Sequence, residues 1–353
     1  MRRKSRQIQV GKVRIGGNAP IAVQSMTTTK TADIAATVAQ IRKLESAGCE
    51  IIRVAVPDGE SARALKIIKE NISMPLVADI HFDWRLALAS LDAGADKIRI
   101  NPGNIGSLDR VKRIVLKAKE KNIPIRIGVN AGSLHKKYAK AKEGLAKALV
   151  DSALEHVHFF EGLNFHDIVI SVKSSSVLIT IEAYRMLAKM VDYPLHLGIT
   201  EAGTLLSGAV KSSVGLGVLL HEGIGDTIRV SLTADPVKEV QVGFEILRSL
   251  GLRAGPELIS CPTCGRCEID LISLAEEVGE KLLSYSTPIK VAVMGCVVNG
   301  PGEAKEADLG IAAGKGGGLL FAKGKPIRKV PEDKLVDVLM EEIEKLSMVD
   351  PQW

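Results

Sequence analysis

A (β/α)₈ barrel followed by a small α+β domain is the architecture that this 353-residue sequence predicts. Three observations carry it. Short apolar runs alternate eight times with amphipathic segments over about the first 250 residues, the unit count and length of such a barrel. The stretch Gly251-Leu252-Arg253-Ala254-Gly255-Pro256 then reads as a linker. Beyond it the alternation stops, and four of the five cysteines are concentrated there. An open doubly wound sheet is the competing arrangement, and eight units favour closure.

The elements follow in order. Strand-like runs occur at 21–26, 50–56, 75–80, 97–101, 124–129, 167–172, 194–199 and 227–232. Helical segments lie between them, as at 33–47, 60–70, 83–93, 106–121, 176–190 and 236–250. Ile34, Val38, Ile41 and Leu44 show the helical spacing of the apolar face. The pairs Ala47-Gly48 and Ala93-Gly94 close two helices, with glycine suited to the left-handed position after the last turn. Residues 1–252 are therefore expected to form the barrel and 253–353 the second domain. In the latter, strands are expected at 257–260, 289–294, 309–313 and 318–322, with helices at 269–283 and 333–346. Lys315-Gly316-Gly317 suits a tight turn between two of these strands. Without the P-loop spacing, that glycine run reads as a hairpin rather than a phosphate cradle.

Composition narrows the function. The net charge of +6 is modest and aromatic residues make up only 3%. Nucleic-acid binding calls for basic stripes with aromatic platforms, which are missing. No apolar run reaches membrane-spanning length, and the basic start Met1-Arg2-Arg3-Lys4-Ser5-Arg6 lacks the apolar stretch of a signal peptide. A cytoplasmic enzyme with a small anionic substrate is expected, with neither nucleic acid nor membrane as partner.

The cysteines form one constellation. Cys261, Cys264 and Cys267 lie within Ser260-Cys261-Pro262-Thr263-Cys264-Gly265-Arg266-Cys267, and Cys296 follows in Gly295-Cys296-Val297-Val298-Asn299-Gly300-Pro301-Gly302-Glu303. A structural disulfide fits poorly with a large chain of few cysteines. Zinc ribbons pair two C-x-x-C knuckles, and Cys296 has no close cysteine partner. The spacing favours an iron–sulfur cluster, and by spacing alone Cys267 is its fourth ligand.

Barrel enzymes place their active sites at the C-terminal strand ends. Here those ends carry Arg53, then Asp79 and His81, then Arg99 and Asn101, then Arg126 and Asn130. Lys173 with Ser174 and Ser175, and Arg229 with Ser231, complete the ring. A lone strand arginine is usually an ion-pair residue. Five converging cations are costly without an anion, which points to a small, densely charged substrate such as a diphosphate. Strand seven places Glu201 at this position, either as an ion-pair partner or as a proton donor. The remaining histidines (His135, His156, His158, His166 and His221) read as surface or structural residues, and Cys49 as a small core residue.

These residues together resemble the 4-hydroxy-3-methylbut-2-en-1-yl diphosphate synthase family of the non-mevalonate isoprenoid pathway. The matching segments are Ala22 to Thr27, the Arg53 strand, Ala78 to Phe82, Arg99 to Asn104, Arg126 to Asn130, Thr200 to Gly203, Ser260 to Arg266 and Gly295 to Glu303. The resemblance implies a barrel followed by a [4Fe–4S] domain, without the extra domain of plant-type members. It also implies a head-to-tail homodimer in which one subunit's cluster caps the other's barrel. The implied reaction is reductive ring opening of 2-C-methyl-D-erythritol 2,4-cyclodiphosphate with loss of water, using two electrons from ferredoxin or flavodoxin.

The resemblance also revises the ligand set to Cys261, Cys264, Cys296 and Glu303, with Cys267 a bystander. A carboxylate is a harder, weaker ligand to iron than thiolate and can leave it open to a substrate oxygen. In this reading Arg53, Arg99, Arg126, Lys173, Arg229 and Ser231 clamp the diphosphate. His81, Asn101 and Asn130 orient the carbon skeleton, Glu201 gives the proton, and Asn299 lies near the cluster. Two other classes compete. An aldolase-like barrel with a Lys173 Schiff base leaves the cysteines without a role. A zinc-bearing, non-catalytic module leaves the cationic strand ends unexplained.

Overall fold

The computed structural model describes residues 2–134, 138, 144–283, 285, 287–296 and 304–349. The chain divides into two compact units, residues 1–252 and 253–353.

In the first unit, β1 (Ile8–Val10) and β2 (Val13–Ile15) form an antiparallel hairpin that the apolar-run pattern did not reveal. Eight parallel strands follow: β3 (Ala22–Met26), β4 (Ile51–Ala55), β5 (Leu76–Ile80), β6 (Lys97–Ile100), β7 (Ile125–Asn130), β8 (Ile168–Lys173), β9 (His196–Leu197) and β10 (Thr227–Ile228). Their order is β8-β7-β6-β5-β4-β3-β10-β9. A parallel bridge between Ile170 and Leu195 joins the two ends and closes the barrel. The last two strands are shorter than the sequence suggested. Backbone pairing runs on to Arg229, which donates to Leu197 O at 3.0 Å, and the two segments meet again where Thr233 N donates to Gly203 O at 2.9 Å. The hairpin is a plug. Its Ile8, Val10 and Ile15 pack on Ala22, Ile51, Val77 and Val169, inward residues near the N-terminal strand ends.

Capping explains where the helices start. Asp33, Asp58, Asp83 and Asp235 each accept a backbone N–H of the first turn through the side chain. Gly48 and Gly94 adopt φ of 89° and 90°, the left-handed closure that their positions predicted. The helix expected at 106–121 runs over Leu108–Glu120, and Gly106, with φ of 102°, separates it from a short additional helix at Pro102–Ile105.

The second unit is a five-stranded sheet in sequential order: β11 (Glu257–Ser260), β12 (Lys290–Met294), β13 (Leu309–Gly314), β14 (Gly317–Ala322) and β15 (Lys325–Pro331). The first three are parallel and the last two antiparallel. Helices Leu271–Leu282 and Leu335–Val349 bury Leu271, Val278, Leu335, Leu339 and Ile343 against Val291, Val293 and Ile311 of the sheet. β15 is an edge strand of mostly exposed, charged residues with two prolines. Those features protect a sheet edge, and they also hide it from a hydrophobic reading.

Candidate functional site

The strand register decides which side chains point into the barrel. Ile52, Val54, Ala78, Ile80, Ile98 and Ile100 join the outer core, so their alternates face inward. Inward positions are Gln24 and Met26, Arg53, Asp79, Lys97 and Arg99, Arg126, Gly128 and Asn130, Ser171 and Lys173, His196, and Thr227. Above the apolar layer of Ala22, Ile51, Val77 and Val169, the interior carries charge where this fold usually has further branched apolar layers.

Asp79 organises one half of the ring. It accepts Arg99 Nη1 at 3.1 Å, and its other oxygen lies 3.7 Å from Arg53 Nε and 3.6 Å from His81 Nε2. Burial opposes its charge. Arg53, His81, Arg99 and Arg126 outweigh that penalty and hold the carboxyl well below its usual range. Burial, only partly offset by Asp79, lowers Arg53 to about 10. Its guanidinium also meets Met26 Sδ, at 2.9 Å from Nη2. Asn130, with its amide oriented by the hydrogen-bond network, accepts Arg99 Nη2 at 3.2 Å. Asn101 donates to Ser133 Oγ at 3.2 Å.

The other half is built from Arg126, Lys173 and Arg229. Burial and then mutual repulsion pull Arg126 and Lys173 well below their ordinary values. Two glycines make room for cations. A Cβ on Gly128 would lie 2.5 Å from Arg99 Nε, and one on Gly198 would lie 2.4 Å from Lys173 Nζ. The end of β8 is braced by Thr180, whose Oγ1 accepts Ser174 N at 3.2 Å. Ser231 is half-buried beyond β10.

Glu201 stands exposed just past β9, with φ of 53°. A non-glycine residue in that region is uncommon, and such strain gathers at working sites. Two further carboxylates stand among the cations of the ring. Asp79 lies inside the ring. Glu239, from helix Pro236–Ser249, inserts and accepts Arg229 Nη2 at 3.2 Å, Ser25 Oγ at 2.9 Å and Leu232 N at 3.1 Å. Nothing in the helical spacing around Glu239 marks it, since a helix residue facing a strand end depends on tertiary packing.

The thiols lie at the C-terminal ends of β11 and β12, neighbouring parallel strands. All five cysteines are free. Gly295 N donates to Cys261 Sγ at 3.3 Å. A Cβ on Gly295 would lie 2.7 Å from Cys267 Sγ. Cys264 is exposed, and hydrogen bonds from the Arg266 backbone and side chain lower its pKa. Among the described residues, no three His, Cys, Asp or Glu side chains are grouped closely enough to hold a metal ion. Asn299, Glu303 and His135 lie outside the described residues. Cys49 is buried and its thiol is pushed up to about 12, as befits an inert core position. Elsewhere on this unit, a cavity of about 350 Å³ lined by Ile289, Leu309, Ile327 and Leu346 is apolar and holds none of the site residues.

Comparison with known proteins matches both units. Residues 5–244 fit the GcpE TIM-barrel domain and residues 257–345 the GcpE protein C-terminal domain. The chain is 60% identical to 4-hydroxy-3-methylbut-2-en-1-yl diphosphate synthase (flavodoxin) of Caldanaerobacter subterraneus subsp. tengcongensis, covering 98% of both chains. The protein of the same name from Clostridium acetobutylicum is 59% identical, over 97% of this chain and 99% of its own length. Among solved structures, dihydropteroate synthase from Stenotrophomonas maltophilia superposes with a TM-score of 0.54 at 14% identity. That match covers 70% of this chain and 98% of the other, and it speaks to the barrel fold alone. With both domains matched in order, the chain belongs to the GcpE family.

Proposed function

We infer that this chain is an oxidoreductase converting 2-C-methyl-D-erythritol 2,4-cyclodiphosphate reductively into 4-hydroxy-3-methylbut-2-enyl diphosphate, with flavodoxin as electron donor. Near full-length identity of about 60% to synthases of that name is the observation that carries the reading. The polar barrel interior supports it independently, since Arg53, Arg99, Arg126, Lys173 and Arg229 outnumber Asp79 and Glu239 there. A cyclic diphosphate supplies the missing negative charge.

The roles follow from the surroundings of each group. Arg99 is held from two sides, by Asp79 and by Gly128 O at 3.2 Å, so its guanidinium is set before substrate arrives. Lys173 and Arg126 present donors to phosphate oxygens, with Ser231 beside them. His81, Asn101 and Asn130 orient the carbon skeleton. Glu201, exposed at the strand end, gives a proton to the hydroxyl that leaves as water.

The donor set at the ends of β11 and β12 suits an iron–sulfur cluster: soft thiols on adjacent strands, with a backbone amide supporting one of them. Cys261, Cys264 and Cys296 would hold it with Glu303 as the fourth ligand and Asn299 nearby. When bound, such a cluster supplies electrons one at a time, and a labile carboxylate ligand leaves it an open position. Cys267 is a bystander whose Sγ contacts Ile269 O at 3.4 Å. The assembly is a homodimer. The exposed apolar row Leu206, Val210 and Val214 on helix Leu205–His221 supports an extensive partner surface.

Anaerobic purification with metal analysis and visible absorbance tests the reading. A brown protein with about four irons per chain supports it. Colourless protein holding zinc removes the electron path and with it the reductive reaction.

A further inference from the structure

Beside the residues already assigned, the barrel interior holds polar groups that this reaction does not use. Lys97, Gln24 and His196 are fully buried and inward-facing. Among the described residues, Lys97 Nζ, both amide atoms of Gln24 and His196 Nε2 have no hydrogen-bond partner. Nor do Nε and Nη1 of Arg126, which is 1% exposed. An enclosed ammonium without an acceptor is strongly disfavoured. Methionine or leucine would fill the same volume without that penalty, so the amine calls for a use.

The charges around Lys97 sharpen the point. Arg126 and Arg53 are the groups that act on it, from β7 and β4. Around the rest of the interior stand Arg99 on β6, Lys173 on β8, His196 on β9 and Arg229 after β10. Asp79 on β5 is the carboxylate inside the ring, already engaged by Arg99 and Arg53. His81 lies beyond Asp79, and Glu239 is occupied by Arg229 and Ser25. Among the described residues, Lys97 is therefore enclosed by cations with no anion of its own.

We propose that Lys97 is a charge-compensating residue of the diphosphate site, taking up a proton from solvent when the substrate's phosphates settle among the cations of the ring. The proposal rests on the cyclic diphosphate reading above. The proton adds to the Nζ lone pair, leaves again with the product, and no bond of the substrate is touched. Burial, then Arg126 and Arg53, hold Lys97 well below its ordinary value in the empty barrel. An anion overhead reverses that field, so the occupied state binds the proton more tightly. By linkage, substrate affinity is fully present at low pH and declines as pH rises past the empty-state value.

Titration calorimetry decides it. The anaerobically prepared holoenzyme is titrated with 2-C-methyl-D-erythritol 2,4-cyclodiphosphate, without electron donor, in buffers of different ionisation enthalpy. Wild type should take up about one proton per site. K97M should lose that uptake, bind roughly tenfold more weakly at neutral pH and lose the pH slope. H196Q should keep the uptake. Unchanged uptake in K97M, or uptake lost in H196Q instead, overturns the assignment. If K97M does not fold, the absence of any uptake by wild type overturns it equally. Binding without linked uptake sinks only this inference, whereas no binding at all sinks the functional reading as well.

Discussion

The two units present their chemistry in opposite ways. In the barrel most of the cations are buried, and one half of the ring is set by the protein itself: Asp79 engages Arg53, His81 and Arg99. In the C-terminal unit the apolar core is ordinary, and the thiols sit at its margin on strand ends, with Cys264 fully in solvent. A charged substrate needs donors fixed in a dry, preorganised place. A thiolate centre is gathered by the ion that binds it, and its ligands need only be close and free to deprotonate. One site is specified by hydrogen bonds among its residues, the other by ligand identity and spacing.

That contrast is most exposed at the fourth ligand. Glu303→Ala should lose or degrade the cluster and nearly abolish turnover, while Cys267→Ser keeps a full iron complement and most activity. Iron counting and electron paramagnetic resonance on both anaerobically reconstituted variants check this. The reverse pattern would make the centre all-thiolate, a closed electron relay.

In the barrel, Asp79→Asn should destabilise the first unit by about 3–5 kcal/mol at neutral pH, because it leaves Arg53 and Arg99 buried without their counter-charge. Chemical denaturation measures it. The Asp79 carboxyl is depressed in the folded state, so its contribution is present above the unfolded value and lost as pH falls below about 4. A stability difference between wild type and Asp79→Asn that persists unchanged at pH 3 would contradict this.

Glu201→Gln should leave substrate binding and iron content intact while cutting turnover roughly 10²-fold or more. Near-normal turnover with dithionite as reductant would remove Glu201 as the proton donor. The smallest effect on turnover is expected at Gly198→Ala, whose Cβ crowds both Lys173 Nζ and the backbone oxygen of Arg229, so that both must shift. KM should rise roughly tenfold with kcat nearly held, as when binding shared by ground and transition states is lost.

Much of this was legible in the sequence. Eight strand periods set the barrel, and Arg53, Asp79, Arg99, Arg126 and Lys173 all face its interior, although Arg126 stands near the start of β7 rather than at the strand end expected of it. What escaped detection did so for physical reasons. The β1–β2 hairpin is two three-residue strands, too short for a periodic signal. β15 is disguised by the charges and prolines of an edge. Glu239 enters the site from a helix, and Gly128 and Gly198 matter through side chains they lack. Spacing alone favours Cys267 as the fourth ligand and the family resemblance favours Glu303, and sequence distance cannot choose between them because it does not weigh the hardness of a donor.

The most direct test of the account is turnover observed on the phosphorus atoms. Anaerobically purified protein, reduced flavodoxin and 2-C-methyl-D-erythritol 2,4-cyclodiphosphate are followed by ³¹P nuclear magnetic resonance. The account predicts that the cyclic diphosphate resonances give way to those of linear 4-hydroxy-3-methylbut-2-enyl diphosphate. Iron-loaded, reduced protein that leaves the cyclic diphosphate unchanged would contradict it.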